Sequence, residues 1–318
     1  MDVLGIDVSK ADFHACLLAG AEQRAKSFPN NAKGYGQLRR WLRNREASQV
    51  HACMEATGGY WLKLATSLFE HGLTVSVVNP ARTMLFARSQ LRRTKTDAVD
   101  AEMIAQFCQT QRLDPWSPPA PEILELRGFL SYRQQLVGEK ARLKQIAGEV
   151  YVGAKLQRLH NAHLRSAQKA IAAVEAQLRE KVRAHPALAA QVAKLEEISG
   201  IGFLTAVTIV CKLPVERLRD GKAAAAYAGL VPSERRSGTS IHGKPYLCKT
   251  GNAELRTALY MPANVARRHN PILAAFAQRL EARGKPEKAI TVAVMRKMIV
   301  LAFSLLKEPA TQKLAVSA

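Results

Sequence analysis

The sequence predicts an α/β domain, then a long helical arm, then a mainly helical C-terminal domain. Short apolar runs of strand length fill the first hundred residues, a proline-rich joint (DPWSPPAP) follows at 114–121, and apolar residues then recur at helical spacing. These features give domain boundaries of 1–113, 114–196 and 197–318. At 318 residues the chain is long enough to form more than one core.

The first domain alternates between strand and helix patterns. Three short strands come first, in VLGIDV, DFHACLL and AEQRAKSF, with turn-like gaps between them. The later elements are a helix over about 31–45, a strand in QVHACME, a helix after Gly59, a strand in LTVSVVN and a helix over 96–109. A three-strand meander followed by alternating helix and strand resembles the ribonuclease H fold.

The arm, 122–196, is predicted as two long helices with a break near 151–154. Such helices space domains, dimerise, lay a basic face on nucleic acid, or form an inert solvated arm, and the sequence leaves these alternatives open. In the last domain, Gly200 and Gly202 bracket a tight turn typical of a helix-hairpin-helix motif, whose N–H groups can hold a phosphate. A plain helix turn is the alternative. A helix near 223–230, a Gly- and Ser-rich loop over 232–251 and two further helices complete the chain.

Charge is distributed unevenly along the chain. The formal net charge is +21; residues 1–110 hold 14 Lys and Arg against 10 Asp and Glu, and residues 111–318 hold 33 against 16, a net charge of +17. This excess indicates a nucleic-acid partner, with a basic membrane-surface protein as the alternative. No uninterrupted apolar run reaches the length of a membrane span, and charged residues interrupt the start, so we expect a cytoplasmic protein without a membrane partner.

Four acids are candidate metal ligands: Asp7, Glu55, Asp97 and Asp100. Asp7 and Glu55 each close an apolar strand, and Asp97 and Asp100 share one helix face because they are three residues apart. Oxygen ligands of this kind favour Mg²⁺ or Mn²⁺. For Asp97 the alternative is a place at the helix N-terminus, where Thr96 or Asp97 can act as the cap.

Other catalytic centres are not indicated. The eight histidines show no zinc or triad spacing; His160 and His163 share a helix face, and we expect them to have no carboxylate partner. The five cysteines lie far apart, which predicts mostly buried, reduced thiols rather than disulfides or a zinc cage.

Several blocks resemble the insertion-sequence-110 transposases, a DEDD group that includes pilin-gene invertases. The blocks are GIDVSK, MEATGGYW, TKTDAVDAE, ISGIGFLTA, AAYAGLVPSERRSGTS, KTGNAELRTALY and RKMIVLAFSLL, in the order of the family. The resemblance implies a RuvC-like domain that binds Mg²⁺ through the four acids. It also implies a serine nucleophile in the C-terminal domain, a structured non-coding guide RNA called the bridge RNA, and a homo-oligomer, from dimer to tetramer, that acts on donor and target DNA.

The serine that matches the family is Ser237, and Ser233 and Ser240 remain alternatives. The candidate nucleic-acid contacts are Gly200, Gly202, Arg235, Arg236, Lys244, Lys249 and Arg256. The sequence is therefore interpreted as a DNA transposase or recombinase. The alternatives are a site-specific DNA invertase of the same family, a Holliday-junction-type nuclease without serine chemistry, and a basic nucleic-acid-binding protein with structural acids.

Overall fold

A computed structural model of the chain describes residues 1–47, 49–91, 96–149, 153–233, 236–237, 241–242, 246–247 and 250–307. The chain forms two compact units, one from Met1 to Pro119 and one from Ala120 onward. The proline-rich joint ends the first unit, and the arm belongs to the second. The division into three domains stays a prediction.

The first unit is built on a five-stranded mixed sheet. Its strands are β1 (Asp2–Val8), β2 (Asp12–Ala19), β3 (Glu22–Pro29), β4 (Val50–Glu55) and β5 (Thr74–Val78). They lie in the order β3-β2-β1-β4-β5: β1 pairs antiparallel with β2, β2 antiparallel with β3, and β4 parallel with both β1 and β5. The meander and the later alternation predicted from sequence are confirmed.

Helices cover both faces of the sheet. They are α1 (Ala32–Arg43), α2 (Trp61–Glu70), α3 (Pro80–Ser89) and α4 (Asp97–Thr110). One apolar core lies between the sheet and α1 and α2, and a second lies between the other face and α4. Helix α3 was not predicted, although Asn79 accepts a hydrogen bond from the Ala81 N–H (2.9 Å) and Pro80 stands at the first helical position.

The arm is a helical hairpin of α5 (Pro121–Glu149) and α6 (Ala154–Ala184). Among its described side chains, three ion pairs cross the hairpin, and their positions show that the helices are antiparallel: Lys181–Glu125 (2.7 Å), Arg133–Glu175 (2.7 Å) and His163–Glu139 (2.9 Å). The prediction that His163 has no carboxylate partner is therefore wrong, because its partner lies on the other helix of the hairpin.

Two helices predicted as continuous are interrupted at prolines. The arm pattern ends at Ala184, and Pro186 begins a separate helix, α7 (Pro186–Glu196). Likewise three helices rather than two close the described chain: α10 (Ala253–His269), α11 (Pro271–Ala282) and α12 (Glu287–Lys307). Between these groups lie α8 (Phe203–Lys212), a short 3₁₀ helix (Val215–Arg217) and α9 (Gly221–Tyr227).

The region predicted as a loop, 232–251, contains short strands where the structure describes it. They are β6 (Pro232–Ser233), β7 (Arg236–Ser237), β8 (Ile241–His242) and β9 (Tyr246–Leu247). β6 pairs antiparallel with β9, and β7 with β8. The two ladders of its described residues are nested along the chain, and we call the segment 232–247, between α9 and α10, the nested hairpin.

Of the helices described, α12 alone is long and apolar enough to cross a membrane. Eight of its residues are buried, at spacings that form a stripe, and all of them except Thr291 join the core of the second unit. This burial is typical of the central helix of a folded domain.

Candidate active site

Asp7 and Glu55 lie at the same edge of the sheet. β1 and β4 run parallel with Ile6 opposite Met54, so the residue that follows on each strand is one of these acids. Parallel neighbouring strands end at one edge, and both side chains point to the face covered by α4 because residues alternate along a strand.

α4 approaches this face closely because β1 carries Gly5 beneath it. A Cβ atom on Gly5 would lie 2.2 Å from the Ala101 carbonyl oxygen and 2.2 Å from the Ala105 nitrogen. On the same face Cys53 of β4 and Cys108 of α4 belong to one buried cluster, which packs β4 against α4. Both thiols are free and buried, as are Cys16 and Cys211, as predicted.

The first turn of α4 contributes the other two acids. Asp97 is the first residue of the helix and Asp100 the fourth, and the Thr96 hydroxyl accepts a hydrogen bond from the Val99 N–H (3.3 Å). Thr96 is therefore the cap, one of the two alternatives considered from sequence. A cap at Thr96 leaves both carboxylates on α4 available for another role.

Electrostatic coupling links the four acids. Partial burial and the nearby charges of Asp100, Asp97 and Glu55 raise the pKa of Asp7 from 3.8 to about 6, and His14 opposes this rise. Burial and like charge both disfavour the ionised form of a carboxyl group. Negative charge is thus concentrated at this edge, where a cation would balance it.

The donor chemistry fits a hard divalent cation, since all four side chains offer oxygen. Among the residues that the structure describes, no three His, Cys, Asp or Glu side chains form a group that could hold an ion. Mg²⁺ keeps several of its waters and is commonly bound by one or two carboxylates together with substrate phosphates, so it does not require a closed protein cage. The assignment of all four acids as ligands stays a prediction.

His14 is a member of this site that sequence analysis missed. It pairs with Asp7 across β1 and β2, and its Nε2 lies 3.7 Å from Oδ2 of Asp97. The signal was present in the hairpin: three residues separate β1 from β2, and this short turn sets the register that brings position 14 beside position 7.

Two threonines, also missed, hold the Glu55 carboxylate. The Thr83 hydroxyl, buried on α3, donates to Oε1 of Glu55, and the Thr57 hydroxyl donates to Oε2 (3.2 Å). Thr83 is 3% exposed, so the removal of its hydroxyl would leave Oε1 without this partner in a poorly hydrated place. No sequence signal marked Thr83, because α3 itself was not predicted.

The candidate serine belongs to the nested hairpin. Ser237 pairs with Ile241, and the neighbouring Arg236 pairs with His242; only the backbone of these residues is described. Ser233 pairs with Tyr246 in the outer ladder. Ser240, Arg235, Lys244 and Lys249 lie outside the described residues. The role of each stays a prediction.

The two glycines of the predicted helix-hairpin-helix turn differ. Gly200 has φ +96°, and a Cβ there would lie 2.7 Å from the Pro262 carbonyl oxygen, so α10 packs directly against it. Gly202 is exposed at the N-cap of α8 and has open space around it. Close packing therefore explains Gly200, and phosphate contact stays a prediction for both.

Arg256 on α10 is engaged with the protein backbone. Its Nη1 donates to the carbonyl oxygens of Gly251 (2.9 Å) and Ala228 (3.2 Å), and the residue is partly buried. Nucleic-acid contact by Arg256 stays a prediction, but this geometry indicates a role inside the domain.

Comparison with known proteins finds relatives across nearly the whole chain. Residues 4–152 match the model of DEDD transposases of the IS110 type, and residues 192–278 match that of the IS116/IS110/IS902 transposase family. The pilin gene-inverting proteins of Moraxella bovis and Moraxella lacunata are each 31% identical over 313 residues, which is 96% of this chain and 95% of the relative. A 43.6 kDa uncharacterised protein of insertion element IS110 from Streptomyces coelicolor is 30% identical over 142 residues, 43% of this chain and 33% of the relative.

Proposed function

The chain belongs to the IS110 family of transposases and is a DNA recombinase, and from this premise we propose that it cuts and rejoins DNA by serine attack at a metal-dependent site. The observation that carries the proposal is the placement of Asp7 and Glu55 at one sheet edge, with Asp97 and Asp100 in the first turn of α4 and His14 between Asp7 and Asp97. Structural acids have no reason to meet at one sheet edge, since their mutual repulsion opposes folding.

In this proposal the first unit is a RuvC-like domain whose four acids hold Mg²⁺ or Mn²⁺. The cation, when bound, stabilises charge that develops on the scissile phosphate and lowers the pKa of an attacking hydroxyl. Thr83 and Thr57 orient Glu55, and His14 lies beside Asp7 and Asp97. These neighbours set the direction in which the carboxylate oxygens face the phosphate.

Ser237 is the proposed nucleophile. Its Oγ attacks the phosphorus, an Oγ–P bond forms, the P–O bond to the departing strand breaks, and that strand leaves as a hydroxyl after it takes a proton. The serine proton passes to a general base, and a cation held by the four acids of this or another copy of the chain would favour its loss. Because the phosphoserine bond conserves the phosphodiester energy, the strand can be rejoined without ATP.

The proposed partners are donor and target DNA, a structured guide RNA and further copies of the chain, with assembly from dimer to tetramer. The support is the net charge of +17 after residue 110 together with family membership. Arg235, Arg236, Lys244, Lys249 and the α8 N-terminus at Gly202 are the proposed phosphate contacts. We place this reaction in the cytoplasm.

Inversion of a DNA segment is the second candidate function. It is favoured by the two Moraxella relatives, which are named for pilin gene inversion and align over 95% of their length. Invertase and transposase share the chemistry proposed here and differ in their DNA sites. A plasmid that carries the gene with its native flanking DNA separates them, because inversion and excision give products of different restriction pattern.

The chemistry is tested by incubation of the protein with labelled flanking DNA, a transcript of the same flank and Mg²⁺. We expect an adduct that resists denaturant, with the DNA attached to the peptide that contains Ser237, and no adduct with Ser237→Ala. An adduct on Ser233 or Ser240 would identify that serine, rather than Ser237, as the nucleophile. Mg²⁺-dependent cleavage that leaves free DNA ends and no adduct would favour the junction nuclease. Normal recombination by Asp100→Asn would contradict the proposed metal site.

A further inference from the structure

The nested hairpin that bears Ser237 is closed at its base by two glycines. A Cβ on Gly251 would lie 2.1 Å from the Gly229 nitrogen and 2.5 Å from the Tyr227 carbonyl oxygen. Gly229 has φ +68°, and a Cβ there would lie 3.0 Å from the Gly251 nitrogen. The two backbones therefore approach closer than any side chain allows.

Hydrogen bonds hold this approach. The Asn252 N–H donates to the Tyr227 carbonyl oxygen (2.7 Å), which joins the start of α10 to the end of α9. Further from the base, β6 and β9 form the outer ladder, in which Pro232 pairs with Leu247. Both ends of the hairpin are thus tied to each other before the inner ladder begins.

Arg256 bridges the same two ends from α10. Its Nη1 donates to Gly251 on one side and to Ala228 on the other, at 2.9 and 3.2 Å. A Cβ on Gly229 would lie 2.4 Å from this Nη1, so the glycine also provides the space for the guanidinium. We call Gly229, Gly251 and Arg256 the hairpin clamp.

A guanidinium suits this position better than an ammonium. Its planar, rigid fork presents donors in fixed directions, and bonds from a charged donor are stronger than neutral ones. Both bonds come from one nitrogen of the guanidinium, so the number of nitrogens does not distinguish the two side chains. Lysine keeps the charge, but its flexible stem and freely rotating ammonium do not fix the donor directions as the planar guanidinium does.

We propose that Arg256 is a positioning residue of the recombination reaction: the hairpin clamp fixes the direction in which the hairpin presents Ser237. This inference rests on the proposed function, because it takes Ser237 as the nucleophile. In this proposal Arg256 aligns the hairpin and does not contact a phosphate group.

The test compares Arg256→Lys and Arg256→Gln with Arg268→Lys and Arg268→Gln, since Arg268 is an exposed arginine on the same helix. The substrate is the gene's native flanking DNA with its own transcript, at saturating concentrations. We expect both Arg256 variants to form the adduct about tenfold to a hundredfold more slowly, because small misplacement of a reacting group has effects of this size. Both Arg268 variants should react at the wild-type rate.

Two readouts separate positioning from phosphate contact and from simple destabilisation. The affinity for the DNA and its salt dependence should be unchanged in Arg256→Gln, whereas loss of a phosphate contact reduces the salt slope by about one. Hydrogen exchange of backbone amides in 246–252 should be faster in both Arg256 variants, while the thermal midpoint of Arg256→Lys stays close to wild type.

The inference is overturned if Arg256→Lys reacts normally while Arg256→Gln binds DNA weakly with a reduced slope, or if exchange in 246–252 is unchanged. If Arg256→Gln fails to fold, Arg256→Lys alone decides by the same exchange and rate measurements. An adduct that persists in Ser237→Ala would instead refute the nucleophile, and the exchange measurement would still test whether Arg256 closes the hairpin.

Discussion

At the residue scale, burial and three nearby carboxylates disfavour the ionised form of Asp7. Its pKa of about 6 exceeds the ordinary value of 3.8, so the metal-free fold is most stable, as far as this group is concerned, below pH 4. That contribution is lost as the pH rises to 6, because the folded state then has to ionise a crowded carboxyl group. Asp7→Asn should therefore raise stability at pH 7.5 by about 1–2 kcal/mol, allowing for solvent screening, and leave it unchanged near pH 3, about one unit below the unfolded pKa of 3.8.

Thermal melts in chelator at the two pH values measure this effect. Asp2→Asn, at the opposite end of β1, is the matched control and should change stability by less than about 0.5 kcal/mol. Addition of Mg²⁺ should stabilise the wild type more than Asp7→Asn. Equal melting of Asp7→Asn and wild type at pH 7.5 without metal would show that the four charges do not repel in solution.

Thr83 gives a second prediction at this scale. Thr83→Val removes the hydroxyl bonded to Oε1 of Glu55 and keeps the shape of the side chain, so Mn²⁺ affinity should fall about tenfold. Calorimetric titration with Mn²⁺ measures the affinity directly. Thr83→Ser, which keeps a hydroxyl, should recover most of it.

Thr110→Val, at the exposed C-terminal end of α4, is the control and should bind Mn²⁺ as the wild type does. Normal affinity in Thr83→Val would mean that the orientation of Glu55 does not depend on this bond.

The contrast between Asp7 and His14 shows what local sequence can reveal. Asp7 was predicted because a charge at the end of an apolar strand is conspicuous by itself. His14 lies in a strand where it breaks no pattern, and it becomes informative only when the register places it opposite Asp7. Residues that act through a cross-strand partner require that register before they can be recognised.

At the scale of elements, the contact of α4 with β1 at Gly5 sets the distance from the helix to the sheet. Gly5→Ala should destabilise the fold by about 3 kcal/mol, because the clashing atoms belong to backbone and no rotamer relieves them. Urea unfolding measures the change.

Gly128→Ala, inside α5 with no atom within 4 Å of the added carbon, is the control and should gain about 0.5–1 kcal/mol. A tolerated Gly5→Ala would show that α4 can move away from the sheet at little cost, and the coupling of Asp7 to Asp97 and Asp100 should then weaken.

The errors at this scale arise where proline follows a polar residue. His185–Pro186 and Asn270–Pro271 each end one helix and begin the next, yet the apolar periodicity continues across both junctions. Periodicity reports which face is buried and does not report a change in helix direction. Pro262, in contrast, stays inside α10, where Oγ1 of Thr205 lies 3.4 Å from the Ala258 carbonyl oxygen, the acceptor that loses its helical partner to proline.

At the scale of the molecule, the net charge of +17 after residue 110 predicts binding that depends steeply on salt. Between 50 and 200 mM salt, the affinity for a random DNA duplex should fall by about a thousandfold or more, as counterions compete for six or more phosphate contacts. Fluorescence anisotropy with labelled duplex measures the slope. A transcript of the flanking DNA should bind far more tightly than the duplex at 150 mM salt.

A loss of less than tenfold would mean that the basic surface makes few phosphate contacts. Equal affinity for transcript and duplex would count against RNA guidance and would favour a simple DNA-binding mode.

Periodicity predicted the α/β unit and the helical arm, and composition showed the excess of basic residues after residue 110, because each depends on an average over many residues. Asp7 and Glu55 were predicted from strand ends, and Asp97 and Asp100 from their spacing on one helix face. Ser237 came only from family resemblance, since a serine in a Gly-rich stretch has no distinctive local pattern, and the two-residue strands that enclose it are too short to detect by alternation.

The antiparallel arm has a consequence for how its length can change. On α6, positions 160, 164, 167, 171, 174 and 178 are shielded, as are 170 and 175 beside them; the first six alternate in steps of four and three, so the seam repeats every seven residues. Removal of seven residues from each helix would keep the seam in phase and shorten the hairpin by about 10 Å. The length of the arm can therefore change in steps of seven residues per helix. Such a change leaves the packing between the two helices and the core at the base of the arm intact.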